Sequence, residues 1–408
     1  MDLGIGERAR PLRDAIRAMV ADEIGPLDAE YRAETGRHPS GDRFRMTDRQ
    51  IAILEDLKSR ARARGLWNLW RTGDHRSGLT NVDYAYLAEE MGRVGIAAEV
   101  FNCNAPDTGN MEVLQRYGTE AQRARWLEPL LEGRIRSAYL MTEPDVASSD
   151  ATNIAMSARR DGEDWVLDGE KWWATGAGDP RCALYIVMAL SDPDGGRHAR
   201  HSMFLVPAGA PGTEVLRACQ VFHHDDAPHG HMHIRFTGVR VPPADLVLGA
   251  GRGFEVAQGR LGPGRIHHCM RAIGQAEQAL ELMCRRALAR TAFGRPLAEL
   301  GANHDIIADA RMAIEQARLL CLKAAWMMDT EGHRAAAPWI SQIKVVAPLM
   351  ALKVVDEAMQ MHGGAGIGQD TPLAAMWTHL RTLRLADGPD AVHRRQVART
   401  ELRRYRDA

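Results

Sequence analysis

Two short stretches carry the side chains best suited to holding a flat polar ring and a phosphate. From Ser137 to Asn153 the chain reads SAYLMTEPDVASSDATN: a strand-like apolar run, a threonine, an acidic-proline turn and a cluster of small hydroxyls. Turns of this composition present backbone N–H groups and hydroxyls that bind ring edges and anions. From Lys171 to Gly176 the chain reads KWWATG, where two tryptophans offer an apolar wall and a threonine adds a hydroxyl two residues later. A β-hairpin with a polar turn and a buried tryptophan would use the same residues.

Further candidates lie towards the C-terminus. RTAFGRP, from Arg290 to Pro296, is a helix-stop turn that also presents an arginine fork, a group suited to a diphosphate. QMHGGAGIG, from Gln360 to Gly368, is glycine-rich but follows a helical pattern and no strand, which argues against a dinucleotide fingerprint and for a close helix–loop–helix turn. Asp387 lies in LADGPD, itself a turn signal. The stretch from His223 to His233 (His223, His224, Asp225, Asp226, His229, His231, His233) has the composition of a metal site but no known ligand spacing, so no metal is expected. Arg394, Arg395, Arg399, Arg403, Arg404 and Arg406 read as a solvated basic helix face, or as one that pairs across a subunit contact or attracts phosphates.

The elements that must position these residues follow from periodicity. Ile16, Met19, Val20 and Ile24, then Ile51, Leu54 and Leu57, then Tyr84, Leu87, Ala88 and Met91 recur at helical spacing. FNCNAPDTG, from Phe101 to Gly109, reads as a loop free to approach a ligand, and Thr119 as the N-cap of a helix reaching Leu131. Between Ser137 and Pro242 the period becomes two, with strands expected at 153–159, 165–173, 183–190, 203–207, 214–221 and 231–236, as in a small barrel or sandwich. Long apolar stripes then mark a four-helix bundle: Ile266 to Ala287, Ile307 to Met328, Ile340 to Met361, and a fourth helix over 372–386. The expected domains are therefore 1–136 helical, 137–246 β and 247–408 bundle, an α+β chain.

The 408 residues carry a formal net charge of −1, which favours neither nucleic acid nor an anionic membrane. Six cysteines lack any CxxC pair, and no run of eighteen apolar residues occurs, so a cytoplasmic protein is expected.

MTEPDVASSDATN followed by KWWATG resembles the flavin-binding signature of the acyl-CoA dehydrogenases, and RTAFGRP, HGGAG and LADGPD resemble later motifs of that family in family order. The combination is similar to family members ten and eleven and their single-domain bacterial relatives. The resemblance implies FAD, with Tyr139, Met141 and Thr142 at the flavin ring, Ser148 or Ser149 at its phosphate or at the substrate, Trp173 covering the ring and Thr175 near N5. It implies that Arg290 and Phe293 reach the cofactor of a neighbouring subunit in a homodimer or homotetramer, and that Gln360, Gly363 and Gly364 line the adenine and ribityl side. Arg265 and Gly388 fall at substrate positions. Asp387 stands where the family has a glutamate base that removes the α-proton of an acyl-CoA thioester, and the alternative base position before Arg265 is Gly264.

The implied reaction is FAD-dependent α,β-dehydrogenation of a medium, long or branched acyl-CoA in fatty acid oxidation, with an electron-transferring flavoprotein as acceptor. Aspartate is one methylene shorter than glutamate, and a misplacement on the order of 1 Å costs roughly a hundredfold in rate, so some compensation is required. An exposed aspartate of pKa ~3.9 is a weak base that burial would strengthen. Two alternatives share the fold: a nitroalkane oxidase, which uses an aspartate base, and a flavin-containing DNA-binding relative, against which the near-neutral charge argues.

Overall fold

The computed structural model describes residues 1–73 and 77–406. In chain order the helices are α1 (Ala9–Met19), α2 (Gly25–Ala33), α3 (Asp48–Ala63), α4 (Asn81–Gly92), α5 (Ala97–Val100), α6 (Asp107–Tyr117), α7 (Glu120–Gln122) and α8 (Glu128–Leu131). Then come strands β1 (Arg136–Leu140), β2 (Ser157–Asp161), β3 (Asp164–Thr175), β4 (Cys182–Leu190), β5 (His201–Pro207), β6 (Thr213–Ala218), β7 (His231–Val241) and β8 (Leu246–Val247). Helices α9 (Gly253–Ala289), α10 (Asn303–Thr330), α11 (Gly332–His362), α12 (Gly364–Ile367), α13 (Leu373–Leu383) and α14 (Asp390–Arg403) follow. The chain divides into two compact units: residues Met1–Asp28, Arg60–Phe101 and Arg265–Ala408 in one, Ala29–Ser59 and Asn102–Gly264 in the other.

The second unit holds the sheet, in strand order β6-β7-β3-β2-β4-β5-β8, with β1 pairing parallel to β4. Its core includes Leu140, Leu167, Tyr185, Val187, Phe204, Val206, Ile234 and Phe236. Alternation of side chains puts one face of each strand inwards, and each large apolar side chain so buried contributes about 1.5–3 kcal/mol. β4 is apolar almost throughout and buried along both faces, which explains why its ends were the easiest to read.

Elsewhere the strand limits differ from expectation for identifiable reasons. Residues 151–153 form a 3₁₀ turn, because the Asp150 carboxylate accepts from Thr152 N at 3.0 Å and Thr152 Oγ1 at 2.6 Å. β2 therefore starts only at Ser157. β7 runs five residues past Phe236, carried through Gly238 by its N–H bond to Asp168 Oδ1 at 2.6 Å. β6 stops at Ala218, beyond a register shift between Val215 and Arg217.

The stretch from Phe101 to Gly109 is a loop as expected up to Pro106, but it is not free. It is a buried support, with Asp107 only 1% exposed, and α6 already begins at Asp107. The Asp107 carboxylate accepts from Ser137 N at 2.8 Å, from Ser137 Oγ at 2.6 Å and from Arg136 Nε, so this acid anchors the start of β1. Thr119 caps α7 as read, through a reciprocal bond with Gln122.

In the helical unit α11 packs against α10, α13 and α14, and α1 and α10 pack against α4. The expected stripes of α9 and α11 are buried throughout. By length and composition α11 could cross a membrane, but 56% of its apolar window is buried in the protein, as befits a core helix. In α3 the buried stripe is Ile53, Leu54, Leu57 and Ala61; Ile51 is 43% exposed, one position off the face. Among the described residues all six cysteines are free thiols.

Helices α4 and α9 touch backbone to backbone. A Cβ on Gly274 would lie 1.9 Å from Glu89 O, and one on Gly92 would lie 2.2 Å from Arg271 O. Neither contact can relax by turning a side chain. Gly274→Ala is therefore expected to destabilise the protein by about 1–3 kcal/mol, the usual cost of overpacking, seen as a lower urea midpoint. An unchanged midpoint would contradict this contact.

Candidate functional site

The sheet unit brings one group of the expected residues together. Trp172 N donates to Thr142 O at 3.0 Å, and Lys171 Nζ donates to Met141 O at 3.0 Å, so the turn after β1 is stitched to the end of β3. Lys171 is fully buried and also binds Glu143 Oε1 at 2.7 Å. Glu143 in turn accepts from Ala155 N at 2.8 Å and Met156 N at 2.9 Å. Burial pulls the Lys171 ammonium down to about 8, with the Glu143 carboxylate opposing. The sequence reading missed this pair, since Lys171 lies within β3 and Glu143 lies in the turn after β1, 28 residues away.

In the loop from Glu143 to Asp150 the two serines differ in their surroundings. Ser148 Oγ accepts from Glu143 N at 2.8 Å and is consumed in shaping the turn, whereas Ser149 is exposed. Ser149 and the exposed Thr142 are thus the hydroxyls presented outwards. Tyr139 points away from the core-facing Ala138 and Leu140, and the Arg260 guanidinium lies 4.1 Å over its ring. Trp173 has a left-handed backbone, φ 52°, and its indole is 37% exposed, a large apolar surface left facing outwards at the end of a buried strand. The Thr175 hydroxyl lies 2.9 Å from His231 Nδ1.

An exposed aromatic wall beside outward hydroxyls fits a flat ring with polar edges, so the residues present suit an isoalloxazine. The donor set is that of a flavin edge.

The helical unit holds the other group. Asp387 follows the C-terminal turn of α13 and is left-handed, φ 54°, as is Gly388, φ 103°. Its carbonyl accepts from Arg265 Nε at 2.9 Å and lies 3.3 Å from His393 Nε2. Just before it, buried Lys344 donates to Leu383 O at 2.6 Å and Ala386 O at 2.8 Å. A side chain on Gly388 would approach His393 Nε2 to 3.0 Å, so glycine there lets the imidazole reach the Asp387 carbonyl.

The Asp387 carboxylate meets a histidine. Its Oδ2 is 3.4 Å from His268 Nε2, and both side chains are 18% exposed. Arg271 donates to His268 Nδ1 at 3.3 Å, and a guanidinium can only donate, so the ring proton sits on Nε2 and faces Asp387. Burial, then the Arg271 charge, holds His268 well below its usual range, so the ring is neutral. The sequence reading missed Lys344, His268 and His393. Lys344 was detectable as a charge on the buried stripe between Ile343 and Ala347.

Arg290, Phe293, Gln360, Gly363 and Gly364 all lie at the surface of the helical unit, Phe293 being 96% exposed. Arg265, expected at a substrate position, is engaged with the Asp387 carbonyl. The residues from His223 to His233 form no metal site: among the described residues no three His, Cys, Asp or Glu side chains could share an ion.

Comparison with known proteins gives the same picture along the chain. Family models match for the acyl-CoA dehydrogenase N-terminal domain over residues 6–134, the middle domain over 138–237 and the C-terminal domain over 251–402. FadE2 of Mycobacterium tuberculosis, described as a probable acyl-CoA dehydrogenase, is 49% identical over 405 residues, covering 99% of this chain and 98% of that protein. Mouse acyl-CoA dehydrogenase family member 10 is 51% identical over 98% of this chain, which spans only 37% of that longer protein. A solved Mycobacterium abscessus protein, provisionally assigned as an acyl-CoA dehydrogenase, is 52% identical with TM-score 0.94, covering 98% of this chain and 100% of its own.

Burial, the largest cause, lowers His393 to about 4 and His267 to about 3, both below the unfolded value near 6.5. Unfolding then takes up protons below pH 6.5, so their contribution is complete above 6.5 and is lost as pH falls towards 4. Urea unfolding should show stability falling through this window, by up to about 1.4 kcal/mol per pH unit per histidine. In His393→Gln the slope should flatten. An unaltered slope would show that His393 is not buried neutral.

Proposed function

This chain belongs to the acyl-CoA dehydrogenase family, and we propose that it carries out the FAD-dependent α,β-dehydrogenation of an acyl-CoA thioester with Asp387 as the base. The observation that carries this reading is the restraint on Asp387, whose carbonyl and carboxylate are each held by a side chain from another helix. FAD, when bound, supplies the acceptor for the hydride leaving the β-carbon.

Everything else falls to the chain's own residues. Asp387 takes the α-proton on a carboxylate oxygen, and neutral His268, donating from Nε2, steadies that carboxylate without adding a charge. Arg265 and His393 fix the backbone from which the short side chain projects. In this reading the left-handed turn is the displacement that offsets the missing methylene. Ser149 is assigned to the cofactor phosphate or the substrate, Thr142 to the pyrimidine edge and Trp173 to the ring face. Gly388 stands beside the substrate. The finer elements of the proposal are a medium, long or branched acyl chain, an electron-transferring flavoprotein as acceptor and a role in fatty acid oxidation. A cytoplasmic setting is supported by six free thiols.

A homodimer or homotetramer belongs to the same reading. Its support is Phe293, almost fully exposed on a left-handed turn beside exposed Arg290, as a residue meant for a second copy would be. Phe293→Ser should weaken assembly in light scattering and lower flavin retention on gel filtration. A variant with unchanged size and full flavin would remove Phe293 from that role.

Asp387→Asn is the direct test of the base. The variant should purify with FAD and still bind acyl-CoA, while anaerobic flavin reduction falls by at least about a thousandfold, in line with loss of a general base. Reduction at the wild-type rate would refute the assignment.

A further inference from the structure

The histidine-rich stretch finds no use in proton abstraction and groups no three side chains that could share an ion, yet one of its members points at a site residue. His231 on β7 is the direct cross-strand partner of Thr175 on β3. The residue is buried, 8% exposed, and its Nδ1 lies 2.9 Å from Thr175 Oγ1. On the other side, Nε2 lies 3.4 Å from Asp226 Oδ2. The imidazole also lies against Trp173, with ring centroids 5.7 Å apart and planes tilted by 56°.

Asp226 is held in place by its own turn. Its backbone is left-handed, φ 54°, and its carbonyl accepts from Gly230 N at 2.8 Å. The adjacent Asp225 is clamped by Arg43 through bonds of 2.6 and 3.1 Å.

Donor and acceptor bookkeeping fixes the direction of the chain. A carboxylate only accepts, so Asp226, 3.4 Å away, favours the tautomer that carries the His231 proton on Nε2. Nδ1 is then an acceptor, and the Thr175 hydroxyl must donate to it. The competing acceptor, Trp173 O, is farther away at 3.5 Å. Thr175 is left presenting oxygen lone pairs, and no proton, to whatever lies beside it.

We propose that His231, oriented by Asp226, is a positioning residue that sets the Thr175 hydroxyl as a hydrogen-bond acceptor towards the flavin. The proposal rests on the FAD reading and on the resemblance that puts Thr175 near N5. An acceptor there favours the reduced flavin, which carries an N–H at N5, over the oxidised flavin, which does not. The histidine thereby raises the flavin potential through a neighbouring hydroxyl, with no contact of its own.

Anaerobic redox titration of the flavin-loaded protein tests this. His231→Phe should shift the reduced-to-oxidised equilibrium roughly five- to tenfold towards oxidised, the weight of one hydrogen bond, or about 20–30 mV for two electrons. His231→Gln, which keeps an acceptor, should recover most of the shift. In a Thr175→Val background His231→Phe should change nothing further, because the pair acts as a unit. Asp226→Asn, at a half-exposed position that should not disturb folding, can donate to Nε2, reverse the ring tautomer and lower the potential in the same direction.

Equal shifts with and without the Thr175 hydroxyl would reduce His231 to packing, and unmoved potentials in all variants would overturn the proposal alone. A purified chain that holds no flavin and takes up none would overturn both this proposal and the function on which it rests.

Discussion

A buried lysine ammonium bonded to backbone carbonyls at and just past the end of α13 is the interaction on which the Asp387 turn depends. Lys344 donates to Leu383 O, the last residue of α13, and to Ala386 O, three residues beyond it. The negative end of the helix dipole favours a cation there, while burial pulls the Lys344 pKa down. With that end tied, the chain can turn left-handed at Asp387, a conformation that costs a residue with a side chain about 1–3 kcal/mol unless its surroundings over-determine it. Arg265 and His393 supply that determination at the carbonyl, and His268 at the carboxylate. An aspartate so restrained has little freedom to lose when it acts, the condition under which positioning contributes to rate.

The sheet unit solves a similar problem with a carboxylate. Glu143 gathers two backbone amides and the Lys171 ammonium, so the turn carrying Thr142 and Ser149 is fixed to the strand carrying Trp173 and Thr175. Removing either partner of such a buried pair strands the other charge, typically at about 3–5 kcal/mol. In both units a buried charge fixes a backbone turn, and the turn presents the side chains that act.

Much of this was legible in the sequence because motif and period carry it. The stripes of α9 and α11 named their buried faces, the period-two region located the sheet, and the turns around Thr142, Thr175 and Asp387 were recognisable as residue patterns. What failed depended on partners distant in the chain. Phe101–Gly109 reads as a loop and is one up to Pro106, but Asp107 is buried because Arg136 and Ser137 need an acceptor. Ser148 and Ser149 look alike in sequence, and only the distant Glu143 amide, which donates to the first, makes their surroundings differ. His268 and Lys344 are ordinary members of helical stripes until α13 places Asp387 and its preceding carbonyls beside them. Periodicity reports which face is buried, but it does not report which buried polar group meets which.

In the proposed reaction a constrained aspartate removes the α-proton of an acyl thioester while a bound flavin accepts the hydride. The most direct test is the absorbance spectrum of the flavin-loaded protein during anaerobic titration with acyl-CoAs of graded length and, separately, with nitroalkanes. The account predicts bleaching of the flavin band by an acyl-CoA and none by nitroalkanes. A flavin that nitroalkanes bleach and no acyl-CoA changes would contradict it.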